Sequence, residues 1–163
     1  MDMLKINTKE QYCEIVDEFA DLVYRVAFQY FLNKYDAEDV VQDVFEKLLT
    51  NKEKSFTDKA HVKAWLVRIT INRCLDIKKS ARVQNEVALD DHDIAVNDEM
   101  QELAEVIKLL DETDRNIIFL YYYEGYTIKE IAKMLNEKQN TVNSRLTRAR
   151  KKLRKILQEE EAI

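Results

Sequence analysis

The chain reads as an all-α protein of two small helical domains joined by a flexible acidic linker, the C-terminal one a helix-turn-helix. Three observations predict this. The 163 residues include one Gly and no Pro, so little interrupts a helix, and 46% of them are apolar, enough for a core in each half. Apolar residues recur at helical spacing, and strand-like alternation is nowhere sustained. Residues 83–101, VQNEVALDDHDIAVNDEMQ, break the periodicity with a run of acids and read as a partly disordered linker. The expected domains are therefore residues 1–82 and 102–163.

From Thr8 to about Asn33, Tyr12, Ile15, Val16, Phe19, Leu22, Val23, Val26, Ala27 and Tyr30 predict one long helix, or two with a bend, packed through that face. Asp36 is the expected cap of a second helix running to about Leu49. Its apolar face is Val40, Val41, Val44, Phe45 and Leu48; Glu38, Asp39, Gln42, Asp43 and Glu46 line the other. Acids early in a helix suit the macrodipole. The stripe continues past the first turn, so a basic protein partner is an equally good reading. Residues 50–60 form a polar loop with one aromatic, Phe56. A third helix is expected from about His61 to Lys79, with Val62, Trp65, Leu66, Ile69 and Leu75 inward and Arg68, Asn72, Arg73, Lys78, Lys79 and Arg82 outward. An aromatic loop beside a basic helix suits unstacked single-stranded bases; taken alone, Phe56 is better read as a loop anchor in the core.

Beyond the linker, Leu103, Val106, Ile107 and Leu110 predict a helix, and a second follows from about Thr113 to Tyr123, stopped at Gly125. Thr127 and Glu130 then form a capping-box pattern ahead of Ile128, Ile131, Ala132 and Leu135. Asn136 suits a left-handed helix end, and Asn140 and Thr141 are the expected caps of the last helix. Val142, Leu146, Ala149, Leu153 and Ile156 mark its buried face; Asn143, Ser144, Arg145, Thr147, Arg148 and Lys151 mark the other. Residues 129–158 hold ten Lys/Arg against two Glu. Two helices so arranged, with short polar groups and arginines near the start of the second, fit the major groove of duplex DNA.

The net charge of −5 conceals segregation. Residues 1–58 carry net −6, 59–82 carry +6 and 84–112 carry −9, so each basic island can bind phosphate locally despite the overall sign. Cys13 and Cys74 lack CxxC partners, and His61 and His92 lack metal-ligand spacing, so neither a zinc site nor a disulfide framework is expected. Both cysteines read as small buried or half-buried residues. No cofactor is expected, and no glycine-rich phosphate loop points to an enzyme. No apolar run approaches a membrane span and the N-terminus lacks a signal core, so membrane insertion is not expected and a cytoplasmic location is.

The order DAEDVVQDVFEKLL, a loop, AWLVRITINRCLDIKKSAR, an acidic linker, LDETDRNIIFLYYYEGYTIKEIAKMLN and NTVNSRLTRARKKLRKIL resembles bacterial RNA polymerase sigma factors of the extracytoplasmic-function (ECF) class, over nearly the whole chain. The resemblance implies a two-domain factor that binds core RNA polymerase and directs it to promoter DNA, without bond-breaking chemistry of its own. It implies that Asp39, Gln42, Asp43 and Glu46 dock on the polymerase clamp helices. It places Phe56 and Asn72 at an unstacked base of the −10 element, with Arg68, Arg73, Lys78, Lys79 and Arg82 on phosphates. Asn143, Ser144, Thr147 and Arg148 would read the −35 element, with Arg145, Arg150 and Lys151 on phosphate or the polymerase flap. An anti-sigma factor is implied as a further partner. Four positions depart from the family pattern: Asn136 stands where Gly is usual, Gln139-Asn140 where Val-Gly is common, and Asn143 where a basic residue is frequent. The family's −35 preference is therefore not carried over, since Asn favours adenine where Arg favours guanine. A stand-alone dimeric helix-turn-helix regulator is the alternative; it predicts tight palindromic duplex binding without polymerase.

Overall fold

The computed structural model describes residues 3–51, 55–83 and 107–161. The expected linker 83–101 lies outside the described residues apart from Val83, as do Leu103 and Val106. The chain divides into two compact units, Met1–Asp90 and Asp91–Ile163. The described residues hold six α-helices, one π-helical turn and one isolated antiparallel bridge.

The first unit packs three helices against one another: α1 (Lys9–Phe31), α2 (Lys34–Thr50) and α3 (Lys59–Val83). Helix α1 is single and unbroken. Thr8 Oγ1 accepts from Gln11 N–H at 3.2 Å while Gln11 Oε1 accepts from Thr8 N–H, satisfying two N–H groups that the first turn would otherwise leave open. Ile15, Phe19, Leu22, Val23, Val26, Ala27 and Tyr30 form its buried face. Leu32 ends the helix at φ 52°, a left-handed conformation uncommon for a side chain of this size. Asn33 starts the next helix at once, accepting from the N–H groups of Tyr35 and Asp36. Asn33, not Asp36, is thus the cap of α2; Asp36 sits in its first turn, where its charge favours the dipole. Val40, Val44, Phe45 and Leu48 are buried, and Val41 is half-buried.

Helix α3 is longer than expected at both ends. Asp58 Oδ1 accepts from His61 N–H at 2.9 Å, which starts the helix two residues before His61. Its buried face is Val62, Leu66, Val67, Thr70, Ile71 and Cys74. The expected face is therefore corrected: Leu75 is exposed, Ile69 and Trp65 are half-buried, and Val67, Ile71 and Cys74 take the inner positions. Thr70 is tolerated inside because its hydroxyl donates to Leu66 O at 2.7 Å. Cys74 is buried as expected, whereas Cys13 is exposed.

The second unit begins its described part at residue 107. Asp111 caps α4 (Glu112–Ile118) by accepting from Asp114 N–H at 2.8 Å. The expected α-helix to Tyr123 instead widens into a π-helical turn, Phe119–Tyr123. Tyr126 N–H donates back to Leu120 O, and Gly125 supplies the positive φ of 74° that turns the chain. Helix α5 (Ile128–Leu135) has the expected capping box of Thr127 and Glu130, and Asn136 ends it at φ 53°. Helix α6 runs Gln139–Glu161. Asn140 and Thr141 therefore lie within its first turn rather than capping it, and Val142 N–H bonds Lys138 O. Helix α6 packs on both α4 and α5, with Val142, Leu146 and Ala149 buried and Leu153 and Ile156 half-buried. No described helix is long and apolar enough to cross a membrane.

Candidate nucleic-acid interface

The register of α6 decides what the second unit presents. Burial of Val142, Leu146 and Ala149 turns Asn143, Ser144, Thr147, Arg148 and Lys151 outward, and all five are exposed. Thr147 Oγ1 donates to Asn143 O at 2.9 Å, so the hydroxyl proton is already used within the helix. Arg145 and Arg150 behave differently. Arg145 Nη1 donates to Asp114 Oδ1 at 3.2 Å and lies 4.0 Å from Asp111 Oδ2. Arg150 is half-buried, its guanidinium 5.4 Å and 5.3 Å from the ring centroids of Tyr121 and Tyr122. At that separation the ring quadrupoles attract the cation. Lys152 Nζ donates to Leu109 O at 2.7 Å. Three of the helix's cations are thus engaged within their own unit, while Arg148 and Lys151 stand outward.

The carboxyl of Asp114 is held above its ordinary range, first by burial and then by the neighbouring Asp111 charge, with Arg145 opposing both. Arg148 opposes the shift as well, through its charge alone, whereas Arg145 also donates a hydrogen bond to Asp114.

In the first unit, Asp39, Gln42 and Glu46 are exposed on α2, and Asp43 is half-exposed. Arg68, Asn72, Arg73, Lys79 and Arg82 are exposed on α3; Lys78 is half-buried, its Nζ 5.2 Å from the Phe31 ring centroid. The acidic and basic surfaces meet. Arg73 Nε donates to Asp43 Oδ2 at 2.9 Å across α2 and α3. This pair borders a cleft of about 310 Å³ lined by Phe31, Asp36, Asp39, Gln42, Asp43, Arg73 and Ile77. Two residues expected to face different partners therefore bond to each other.

Phe56 requires a correction. Only 3% of it is exposed. Its backbone exchanges two hydrogen bonds with Leu4, at 2.6 and 2.9 Å, and its ring meets His61 and Trp65 edge-on at 5.3 and 5.7 Å. No open ring face is available for a base. Phe56 anchors the loop, because the apolar ring gains more from burial than from exposure beside α3. Among the described residues, no group of three or more His, Cys, Asp or Glu is placed to hold a metal ion.

The cross-helix pairs Asp43–Arg73 and Arg145–Asp114 were not legible in the sequence. Their partners lie 30 and 31 residues apart, beyond any helical period. The tyrosine run at residues 121–123 was visible as composition, but its approach to Arg150 needed the packed helices.

A basic recognition helix braced by a capped partner helix defines a helix-turn-helix transcription protein. Comparison with known proteins makes the class specific. The sigma-70 region 2 family matches residues 15–83, and the sigma-70 region 4 family matches residues 100–153. The chain is 30% identical over 155 residues to the ECF RNA polymerase sigma factor SigL of Mycobacterium tuberculosis, covering 89% of this chain and 88% of SigL. It is 29% identical over 162 residues to the RNA polymerase sigma factor SigV of Bacillus subtilis, covering 96% of this chain and 97% of SigV. In fold it resembles the sigma factor RpoE of Bartonella quintana, solved with the anti-sigma factor NepR. The TM-score is 0.75 at 21% identity, over 91% of this chain and 98% of that one. The chain belongs to the ECF RNA polymerase sigma factors. It binds core RNA polymerase and directs it to promoters at transcription initiation.

Proposed function

We propose a division of labour between the two units, in which the functional domains are residues 1–82 and 102–163 and residues 83–101 serve as the linker. In the first, Asp39, Gln42, Asp43 and Glu46 dock on basic residues of the polymerase clamp. Charge-assisted pairs there contribute orientation and specificity more than affinity. Asn72 reads an unstacked base of the −10 element, with a donor and an acceptor on one amide. Arg68, Arg73, Lys78, Lys79 and Arg82 hold the neighbouring phosphates as the duplex opens. In the second unit, Asn143, Ser144, Thr147 and Arg148 reach base edges of the −35 element, and Lys151 reaches phosphate.

The observation that carries this reading is the sharp division of α6: Val142, Leu146 and Ala149 are buried, and the five outward positions are polar or cationic and exposed. Base contacts set sequence while phosphate contacts set register. The protein acts by recruitment and strand capture; phosphodiester synthesis remains with the core enzyme. It works in the cytoplasm, where it meets polymerase. An anti-sigma factor covering the polymerase-binding faces is its proposed regulator, by analogy with RpoE, which was solved bound to NepR.

The test is transcription of fragmented genomic DNA by core polymerase with and without the protein, with mapping of transcript 5′ ends. Discrete new start sites sharing two spaced elements are expected. Specific duplex binding without polymerase, and no new start sites with it, would reject the reading.

A further inference from the structure

We infer that Arg145 is a positioning residue for the recognition helix rather than a contact to DNA. The inference rests on the −35 reading proposed above and changes the role of one residue within it. Arg145 lies on the same helix as Asn143, Ser144, Thr147 and Arg148, but its side chain is only 31% exposed. Its guanidinium bonds Asp114, whose side chain is 20% exposed, and lies 4.0 Å from Asp111. Asp111 and Asp114 are themselves joined, because Asp111 caps α4 by accepting Asp114 N–H at 2.8 Å. One guanidinium thereby links α6 to the start of α4.

The geometry matters for direction. Val142, Leu146 and Ala149 bury one side of α6, but apolar contacts alone tolerate small rotations about the helix axis. A directional bond from Arg145 resists such a rotation. Asn143 and Arg148 are two positions before and three after Arg145, so fixing Arg145 fixes the angle at which both meet the groove. A planar, delocalised cation suits this task better than lysine, because its donors are held in a fixed fork. Moving Arg145 to a phosphate would leave Asp111 and Asp114, two neighbouring carboxylates, without that cation.

The experiment uses the full chain with core polymerase on a promoter fragment taken from the 5′-end map, beside the same fragment with its −35 element scrambled. Binding to both is measured over a salt series for wild type, Arg145→Ala, and the double variant Arg145→Asp/Asp114→Arg. The expected result is that Arg145→Ala lowers discrimination between the fragments about three- to tenfold, toward the lower end of what coupled neighbouring side chains show. The salt dependence should not change. The charge-exchanged double variant should recover most of the discrimination, which also shows that the fold survives. Equal loss on both fragments, with the slope of log affinity against log salt reduced by about 0.9, would identify a phosphate contact and overturn the inference. So would unchanged discrimination in Arg145→Ala, or failure of the double variant to recover it. If wild type produces no promoter in the map, the −35 reading fails first and this role fails with it.

Discussion

Helices α3 and α6 are both long and basic on one side, yet their buried faces were legible to different degrees. In α6 the apolar residues step by four, three, four and three, and Val142, Leu146 and Ala149 are buried as that spacing predicts. In α3 apolar residues are scattered around the helix, and the inner face runs through Val67, Ile71 and Cys74 rather than ending on Leu75. The reason lies in the neighbours. Both helices pack on two others, but α3 carries apolar residues around more of its circumference, so which of them turn inward is chosen by where α1 and α2 lie and not by local periodicity. Its outer face is tied to α2 as well, through Arg73 and Asp43. A clear amphipathic stripe reveals its own orientation; a helix with weak amphipathicity has its orientation chosen by its partners.

Phe56 is the strongest way to break this contrast. Its ring fills the end of the α3 packing, so Phe56→Ala should destabilise the first unit by about 3–5 kcal/mol, the range for truncating a buried phenylalanine. Chemical denaturation of the full chain measures this. Unaltered stability together with loss of promoter opening would make Phe56 a base platform after all.

Cys74 sharpens the contrast on the buried side. Burial pushes its thiol up to about 12 from a starting value of 9.0. In that window the unfolded chain releases the proton while the folded chain keeps it, so rising pH favours unfolding. Stability should decline from this thiol by about 1.4 kcal/mol per pH unit above pH 9, and the decline should vanish in Cys74→Ala. Identical pH slopes in the two proteins would place Cys74 outside the core. At neutral pH the thiol is protonated in both states and contributes no such dependence.

The smallest effect belongs to the outer face. Asp43 and Arg73 are both near half-exposed, so solvent screens their bond. A double-mutant cycle with Asp43→Ala and Arg73→Ala should give a coupling of no more than about 1 kcal/mol in stability. A much larger value would mean that the pair helps to orient α3, and the two helices would then be held by polar contacts in the same way.

Much of the fold was accessible from local chemistry. The capping boxes at Thr8 and Thr127 bracket starts that a few neighbouring residues specify. Helix ends were less accessible where two residues competed: Asn33 took the cap expected at Asp36, because Leu32 turns left-handed immediately before it. The π-helical turn at Phe119–Tyr123 was not visible either, since a five-residue widening leaves the apolar spacing almost unchanged. Of the candidate site, the outward residues of α6 followed from helix register. The engagement of Arg145 with Asp114, of Arg150 with Tyr121 and Tyr122, and of Arg73 with Asp43 did not.

By itself, then, the amino-acid sequence determined that this chain is helical, that α6 has one polar, cationic outer face, and that its motifs belong to a sigma factor. These follow from interactions within one or two turns, which depend only on neighbours along the chain. The tertiary structure alone decided which cations face outward and which side of α3 is inside, and it decided between the two readings of Phe56 in favour of the anchor. Those outcomes depend on what lies across the packed interface, about thirty residues away in the cases of Arg73 and Arg145. Composition and periodicity carry no record of such distant pairs.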